Sequence, residues 1–273
     1  MRSMYRKFRI RIAAIIVLVP MLSFAAEPNL PPDSPMWQKL RVGLFQDRSI
    51  SDDGDQLITL TAPQRAQDAA VVPVSIKSLI PQTPQRYIKT IHLIVDDNPA
   101  PLAAVFHLTP ASGLADIETR VRVEQYTYVR AIVETSDGEL AMTKAYVKAS
   151  GGCSAPANRA PGGDDNLGKM KLMVQDNPQL NQPVMAQLMI RHPNASGMVM
   201  DQATRLYAPP HYVRRLEVAF AGKPVMTADV DFGISENPNF RFYFTPQAEG
   251  TLTARAQDTN DLVFNTSLEV MPE

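Results

Sequence analysis

From residue 70 onward the apolar positions fall into short runs with the two-residue period of strands. Ile117, Thr119, Val121 and Val123 alternate with Glu118, Arg120, Arg122 and Glu124, which turns the first set toward a core and the second toward solvent. Residues 71–79 are rich in β-branched side chains, with Pro73 marking an edge or a bulge. Runs at 88–95 and 102–108 are separated by the turn signal Asp96-Asp97-Asn98-Pro99, and runs at 127–134 and 140–148 flank Ser136-Asp137-Gly138. The second half repeats the style, with strands expected at 169–174, 184–190, 212–220, 223–232, 240–245, 251–257 and 262–270. Strands spaced by about 8–12 residues without a long amphipathic helix are the pattern of antiparallel sandwiches.

Two segments break that pattern. Near the start, Ser34 is placed to cap a short helix with Pro35 at its first position and Trp37, Leu40 and Leu44 on one face. In the middle, residues 149–166 contain no large apolar side chain, so this stretch cannot pack a core and reads as a connector. The fold expected is all-β: two immunoglobulin-like antiparallel β-sandwich domains, at 26–150 and 168–273, joined by a Gly/Pro-rich linker at 151–167 that carries the sole cysteine. No sequence repeat relates the halves.

The first 25 residues stand apart. Arg2, Arg6, Lys7, Arg9 and Arg11 precede the apolar run 12–22, and Ser23 and Ala25 are the small residues of a cleavage site. Together they form the pattern of a secretory signal peptide cleaved near Ala25, in a protein destined for a bacterial periplasm. The apolar run is shorter than the roughly 20 residues a spanning helix needs, so no membrane association is expected after cleavage. Removing five basic residues takes the basic count from 27 to 22 against 28 acids, and the net charge from −1 to −6. A moderately acidic surface argues against nucleic acid as a partner.

Composition changes the picture mainly through one residue. With 23 prolines, 13 glycines and one cysteine, the chain can form no internal disulfide and no cysteine-rich metal site. Cysteines are usually buried, yet Cys153 sits among Gly151, Gly152 and Ser154 in the connector, where no apolar neighbour would cover it. An exposed, mobile thiol is expected, with Gly151, Gly152 and Ser154 as its flexible arm. A single cysteine in an oxidising compartment is a candidate for attachment to something outside its own chain. No neighbouring cation clearly activates it, so action inside a partner's site is favoured over a self-sufficient thiol enzyme.

Other candidates carry less. His92, His107, His192 and His211 show no metal-ligand spacing, and no cofactor or metal site is expected. The acidic turn Asp52-Asp53-Gly54-Asp55 lacks the later glutamate of a calcium loop. Met170, Met173, Met185, Met189, Met198 and Met200 read as core filler rather than as copper ligands.

The residues from Val147 to Cys153 resemble the end of SoxY, the carrier subunit of the sulfur-oxidation (Sox) system, whose chain ends in Gly-Gly-Cys-Gly-Gly. Residues 96–103 and 119–122 are also similar to SoxY. Downstream, Ile190-Arg191-His192-Pro193 and residues 234–242 resemble SoxZ, its immunoglobulin-like partner. The order looks like a fused SoxYZ-like carrier of the quinoprotein (PQQ) dehydrogenase-associated type, which the variant Gly-Gly-Cys-Ser-Ala-Pro-Ala fits. The chain departs from SoxY in that Ser154-Ala155-Pro156 replace the final glycines and the arm is tethered at both ends.

The resemblance implies a non-enzymatic carrier that holds a sulfur-containing or other small group on Cys153 and presents it to Sox-type enzymes or to a PQQ-dependent alcohol dehydrogenase. It also implies that the SoxY-like and SoxZ-like halves pair within the chain, with His192 and Pro193 available for partner contact. The alternative is a structural or docking accessory of a periplasmic PQQ dehydrogenase in which the thiol is incidental.

Overall fold

The structure, a computed structural model, describes residues 30–52, 54–155, 166–200 and 204–273. Residues 1–25, expected to be a signal peptide, and the linker residues 156–165 lie outside the described residues, as does Asp53 of the acidic turn. No helix among the described residues is long and apolar enough to cross a membrane.

Among the described residues one α-helix and fourteen strands follow in order: α1 (Pro35–Phe45), β1 (Ile58–Thr61), β2 (Val72–Ser78), β3 (Ile88–Val95), β4 (Leu102–Leu108), β5 (Ile117–Val121), β6 (Thr127–Thr135) and β7 (Leu140–Val147). The second half supplies β8 (Met170–Val174), β9 (Val184–Ile190), β10 (Val213–Phe220), β11 (Lys223–Val230), β12 (Asn239–Phe244), β13 (Gly250–Asp258) and β14 (Val263–Val270). The strand β1 has no counterpart in the sequence reading, because its four residues are too few to show a period.

The expectation of an all-β, antiparallel sandwich architecture is met, with an addition that periodicity cannot show. The strands form two sheets, ordered β1-β2-β5-β12-β9-β8 and β14-β13-β10-β11-β4-β3-β6-β7, and each runs through both halves of the chain. In each half, three strands belong to the smaller sheet and four to the larger. The halves meet along five residue pairs in the larger sheet, from Met226 opposite Leu108 to Val230 opposite Ala104. On the smaller sheet the join is slighter: Arg241 of β12 lies opposite Glu118 of β5, and an antiparallel bridge links Val121 to Ile234. One apolar core runs between the sheets, including Phe106 on β4 and Phe240, Phe242 and Phe244 on β12.

Strand burial follows the alternation. On β12 the three phenylalanines face inward and Arg241 faces out. On β9, Val184, Ala186, Leu188 and Ile190 are buried while Met185, Gln187 and Met189 are only half-buried. The methionines expected in the core therefore lie at its margin, because aliphatic neighbours on the inward-facing positions already fill it. Pro73 pairs with Arg120 on β5, while β1 ends at Thr61 opposite Ser75. Thus β2 has a strand neighbour on one side only at the proline, where a missing N–H is tolerated.

The helix begins as expected, with Ser34 Oγ accepting from the Trp37 N–H at 3.2 Å. Its buried residues are Trp37 and Phe45, whereas Leu44, expected on the inner face, is exposed. The helix covers Ile94, Ile132, Leu140 and Met142 on the outer side of the larger sheet. Beneath it lies Arg130, fully buried, with its Nε and Nη2 on Asp96 and Nη2 also on Asp33 at 2.7 Å. The Arg130 guanidinium also stacks 4.4 Å from the centre of the Trp37 ring.

Candidate functional site

The residues just past β5 gather the segment that carries the cysteine. Arg122 N–H donates to Gly233 O at 2.7 Å and Val123 N–H donates to Ala69 O at 2.8 Å. Asn98, from the turn after β3, accepts from Glu124 N–H and donates to Arg122 O. Residues 122–124 thus form a bonded seam between three loops, and the connector folds back along it. Gly151 N–H donates to Glu124 O at 2.8 Å, and Gly152 N–H donates to Val123 O at 3.0 Å.

Both glycines are required where they stand. Gly151 has a φ of +81°, in the region that disfavours side chains. A Cβ at Gly152 would lie 2.1 Å from Ala69 O. The two glycines allow close docking of the segment instead of free motion.

Cys153 follows and is completely buried. Its N–H donates to Glu124 Oε2 at 2.8 Å, and its carbonyl accepts from Ser196 Oγ at 2.5 Å. Ser154 is exposed, with its hydroxyl 3.3 Å from Glu124 Oε1. The expected exposed, flexible arm is therefore a docked one in this state. Composition predicted exposure because the segment has no large apolar residue. The seam at 122–124 and a loop of the second half supply the cover from elsewhere. Burial pushes the Cys153 thiol up to about 12, with the Glu124 charge adding to the rise and Arg122 opposing it. At pH 8 a docked thiol with that value is ionised in about one molecule in ten thousand, so it is a poor nucleophile.

The covering loop, 192–198, comes from the second half. Asn194 fixes it on both sides: its Nδ2 donates to Ile234 O, and its Oδ1 accepts from Val213 N–H. The loop then pairs with the segment just before β10 through Ala195 and His211. Arg122, expected to face solvent, is buried between this loop and the cysteine segment. Its Nη1 donates to Gly152 O at 3.1 Å and its Nη2 to Asn194 O at 3.2 Å. Its Nε has no hydrogen-bond partner. Burial works to lower the pKa of Arg122, with Cys153, Glu236 and Asp68 opposing it.

His192 does not lie at the surface as the sequence suggested. Its ring is fully buried, with Nδ1 accepting from Asn194 N–H at 3.1 Å and Nε2 lying 3.4 Å from Asp258 Oδ2. His211 Nε2 lies 2.7 Å from the same oxygen. Pro193 is half-buried. The ring is drawn inward because it can join Asp258 to the turn at Asn194, a pairing of residues 66 apart that no local spacing reveals. Burial, then the neighbouring His211, push the His192 imidazole down to about 4, so it is neutral at pH 7. Burial acts to raise the Asp258 carboxyl, but hydrogen bonds from His211, Leu262, Asn260 and His192 outweigh it and hold it below the usual carboxylate range.

His192, His211 and Asp258 bring three metal-ligating atoms within 4.8 Å of one another. The hydrogen bonds do not suit a cation there. With Nδ1 accepting from a backbone N–H, a neutral His192 carries its proton on Nε2, the atom aimed at the carboxylate. Ligation through Nε2 would move the proton to Nδ1 and set it against the Asn194 N–H. The cluster is better described as a hydrogen-bonded latch that holds the covering loop. Sequence reasoning missed Arg122, Glu124, Asn194, Ser196 and Asp258. Glu124 was visible only as a polar position of an alternating strand, and Arg122 as another such position within the stretch 119–122 that resembles SoxY.

Comparison with known proteins is consistent with this division of the chain. Residues 42–153 match the family described as sulfur oxidation protein SoxY, and the match ends at the cysteine. Residues 170–269 match the family described as sulphur oxidation protein SoxZ. Among solved structures, the sulfur carrier protein SoxY from Chlorobium limicola f thiosulfatophilum is 22% identical, over 42% of this chain and 91% of that one, with a TM-score of 0.35. A superoxide reductase (neelaredoxin) from Ignicoccus hospitalis is 19% identical, over 38% and 80%, with a TM-score of 0.28. The fibronectin(III)-like modules of Clostridium thermocellum CbhA are 9% identical, over 80% and 94%, with a TM-score of 0.24. No curated protein matches the sequence.

Proposed function

We propose, from the premise that the chain is a fused SoxYZ-like protein, that it is a covalent carrier for sulfur oxidation whose cargo is held on Cys153. The observation that carries this reading is the tandem itself: a SoxY match that ends on the chain's sole cysteine, followed by a SoxZ match. In this reading the protein is a carrier rather than an enzyme, exported to the periplasm with its signal peptide removed near Ala25. The two halves act as one body, a reading supported by the register between β4 and β11. The docked thiol is the resting state: about six hydrogen bonds to the segment, each worth about 1 kcal/mol net, protect it from stray oxidants until a partner draws it out. The partners are Sox-type enzymes, with a PQQ-dependent alcohol dehydrogenase system as the finer assignment suggested by Gly-Gly-Cys-Ser-Ala-Pro-Ala.

Replacement of Cys153 by serine in the cell tests this. The variant is expected to be exported and folded but to abolish the oxidation that depends on the protein. Full activity of Cys153→Ser would contradict carriage. A second reading, a docking accessory of a periplasmic PQQ dehydrogenase with an incidental thiol, is favoured by the complete burial of Cys153. It requires capture of the dehydrogenase by Cys153→Ala as well as by the unmodified protein, with no loss of oxidation in either cysteine variant.

A further inference from the structure

A buried cation with no direct ion pair among the described residues stands beside the thiol. Arg122 is 2% exposed, and its hydrogen bonds go to two backbone carbonyls, Gly152 O and Asn194 O. No carboxylate pairs with it among the described residues, and its Nε lacks an acceptor within the protein. Taking a charge out of water costs several kcal/mol unless a counter-charge compensates. Glu236 and Asp68 act on it only through the field, as does the cysteine. The other acids near the cysteine are Glu124, whose carboxylate is taken up by Cys153 N–H and Ser154, and Asp231, which accepts from Phe232 N–H. Among the described residues the fold offsets the Arg122 charge only at a distance, through Glu236 and Asp68, and supplies no carboxylate in direct contact with it.

We propose that Arg122 is a positioning residue for an anionic group carried on Cys153, so that the docked site selects cargo ending in a sulfonate-like or other oxyanion over neutral cargo. This rests on the carrier reading above. The guanidinium is fixed by the carbonyl before Cys153 and by the loop that covers it, and its Nε–H has no acceptor among the described residues. An oxyanion joined to the cysteine sulfur would supply both the acceptor and the charge. Hydrogen bonds between two ionised groups are about twice as strong as neutral ones. The same contact would keep the loop at Asn194 closed over loaded protein and favour a carrier that shields its cargo between partners.

The test uses the full chain carrying two defined adducts. The Cys153 thiolate attacks tetrathionate, forming a sulfur–sulfur bond and expelling thiosulfate, which leaves an anionic S-thiosulfonate. With methyl methanethiosulfonate it forms a neutral S-methylthio group and expels methanesulfinate. Thermal midpoints are compared within each protein, so any purely structural loss at position 122 cancels. The unmodified sequence is expected to be at least as stable with the anionic adduct as with the neutral one. In Arg122→Gln the anionic form should melt at least about 3 °C below the neutral form, and Arg122→Lys should recover part of the gap. Equal midpoints for the two adducts in the unmodified sequence and in Arg122→Gln would overturn the proposal, as would an anionic form that is the less stable one in the unmodified sequence. Because the adducts are made chemically, these outcomes are independent of whether cells load Cys153, which is what the carrier reading requires.

Discussion

Among the described residues of the first half two arginines are buried, and the fold treats them differently. Arg130 is fully enclosed, with Asp96 and Asp33 on its guanidinium and the rings of Trp37 and Tyr128 at 4.4 and 5.1 Å. Arg122, on the segment that follows β5, has two carbonyls, no ion pair among the described residues and an Nε without a partner. Burial acts to lower the pKa of Arg130, but the hydrogen bonds it donates to Asp96 and Asp33 outweigh it and hold it above the usual value, whereas Arg122 is held below. The difference separates a structural keystone, neutralised by the chain itself, from a charge kept in reserve beside the only thiol. A buried ion pair is weak evidence for function, while a buried unpaired charge calls for an explanation.

The largest effect expected is at the keystone. Asp96→Ala leaves Arg130 buried without its principal partner and should cost about 3–5 kcal/mol in urea unfolding. Arg122→Gln gives up two hydrogen bonds but also removes an uncompensated charge, so about 1–2 kcal/mol is expected. If Arg122→Gln proved the costlier substitution, the contrast between the two sites would fail.

Next is the latch that holds the loop over Arg122. His192 is held down to about 4 when folded, against an ordinary value of 6.5. The unfolded chain therefore takes up the proton first, and stability present above pH 6.5 is lost as pH falls toward 4. That loss is about 3 kcal/mol between pH 7 and 4. His92, also lowered by burial, adds to the slope with the same sign. Denaturant midpoints across that range should fall less steeply in His192→Asn, and an unchanged slope would remove His192 from the latch.

The smallest effect sharpens the docked state. Glu124→Ala removes the acceptor of Cys153 N–H and a charge that opposes thiolate formation. At pH 8 the reaction of Cys153 with a neutral disulfide reagent should quicken by about tenfold, equivalent to about 1.4 kcal/mol. A rate equal to that of the unmodified protein would mean that Glu124 does not clamp the segment.

Much of the fold was legible in the sequence. The β5 alternation, the hairpin turn at Ser136-Asp137-Gly138 and the Ser34 cap are local signals, and the structure carries each. Continuity of the sheets through β4 and β11 was not legible, since strand neighbours far apart in sequence leave no periodic trace. At the candidate site, the identity of Cys153 was readable from its uniqueness, but its burial was not. Exposure was inferred from immediate neighbours, while the cover comes from Glu124 and from Ser196, 29 and 43 residues away. Arg122 was misassigned to solvent for the same reason: period two describes a strand, and this residue lies just beyond the end of one.

The central claim, that Cys153 holds cargo, is tested most directly by the intact mass of the protein purified from its own cells without reductant. The account predicts a mass above that of the processed chain, returned to the unloaded value by reductant and absent in Cys153→Ser. A single species with a free thiol, isolated from cells actively carrying out sulfur oxidation, would contradict it.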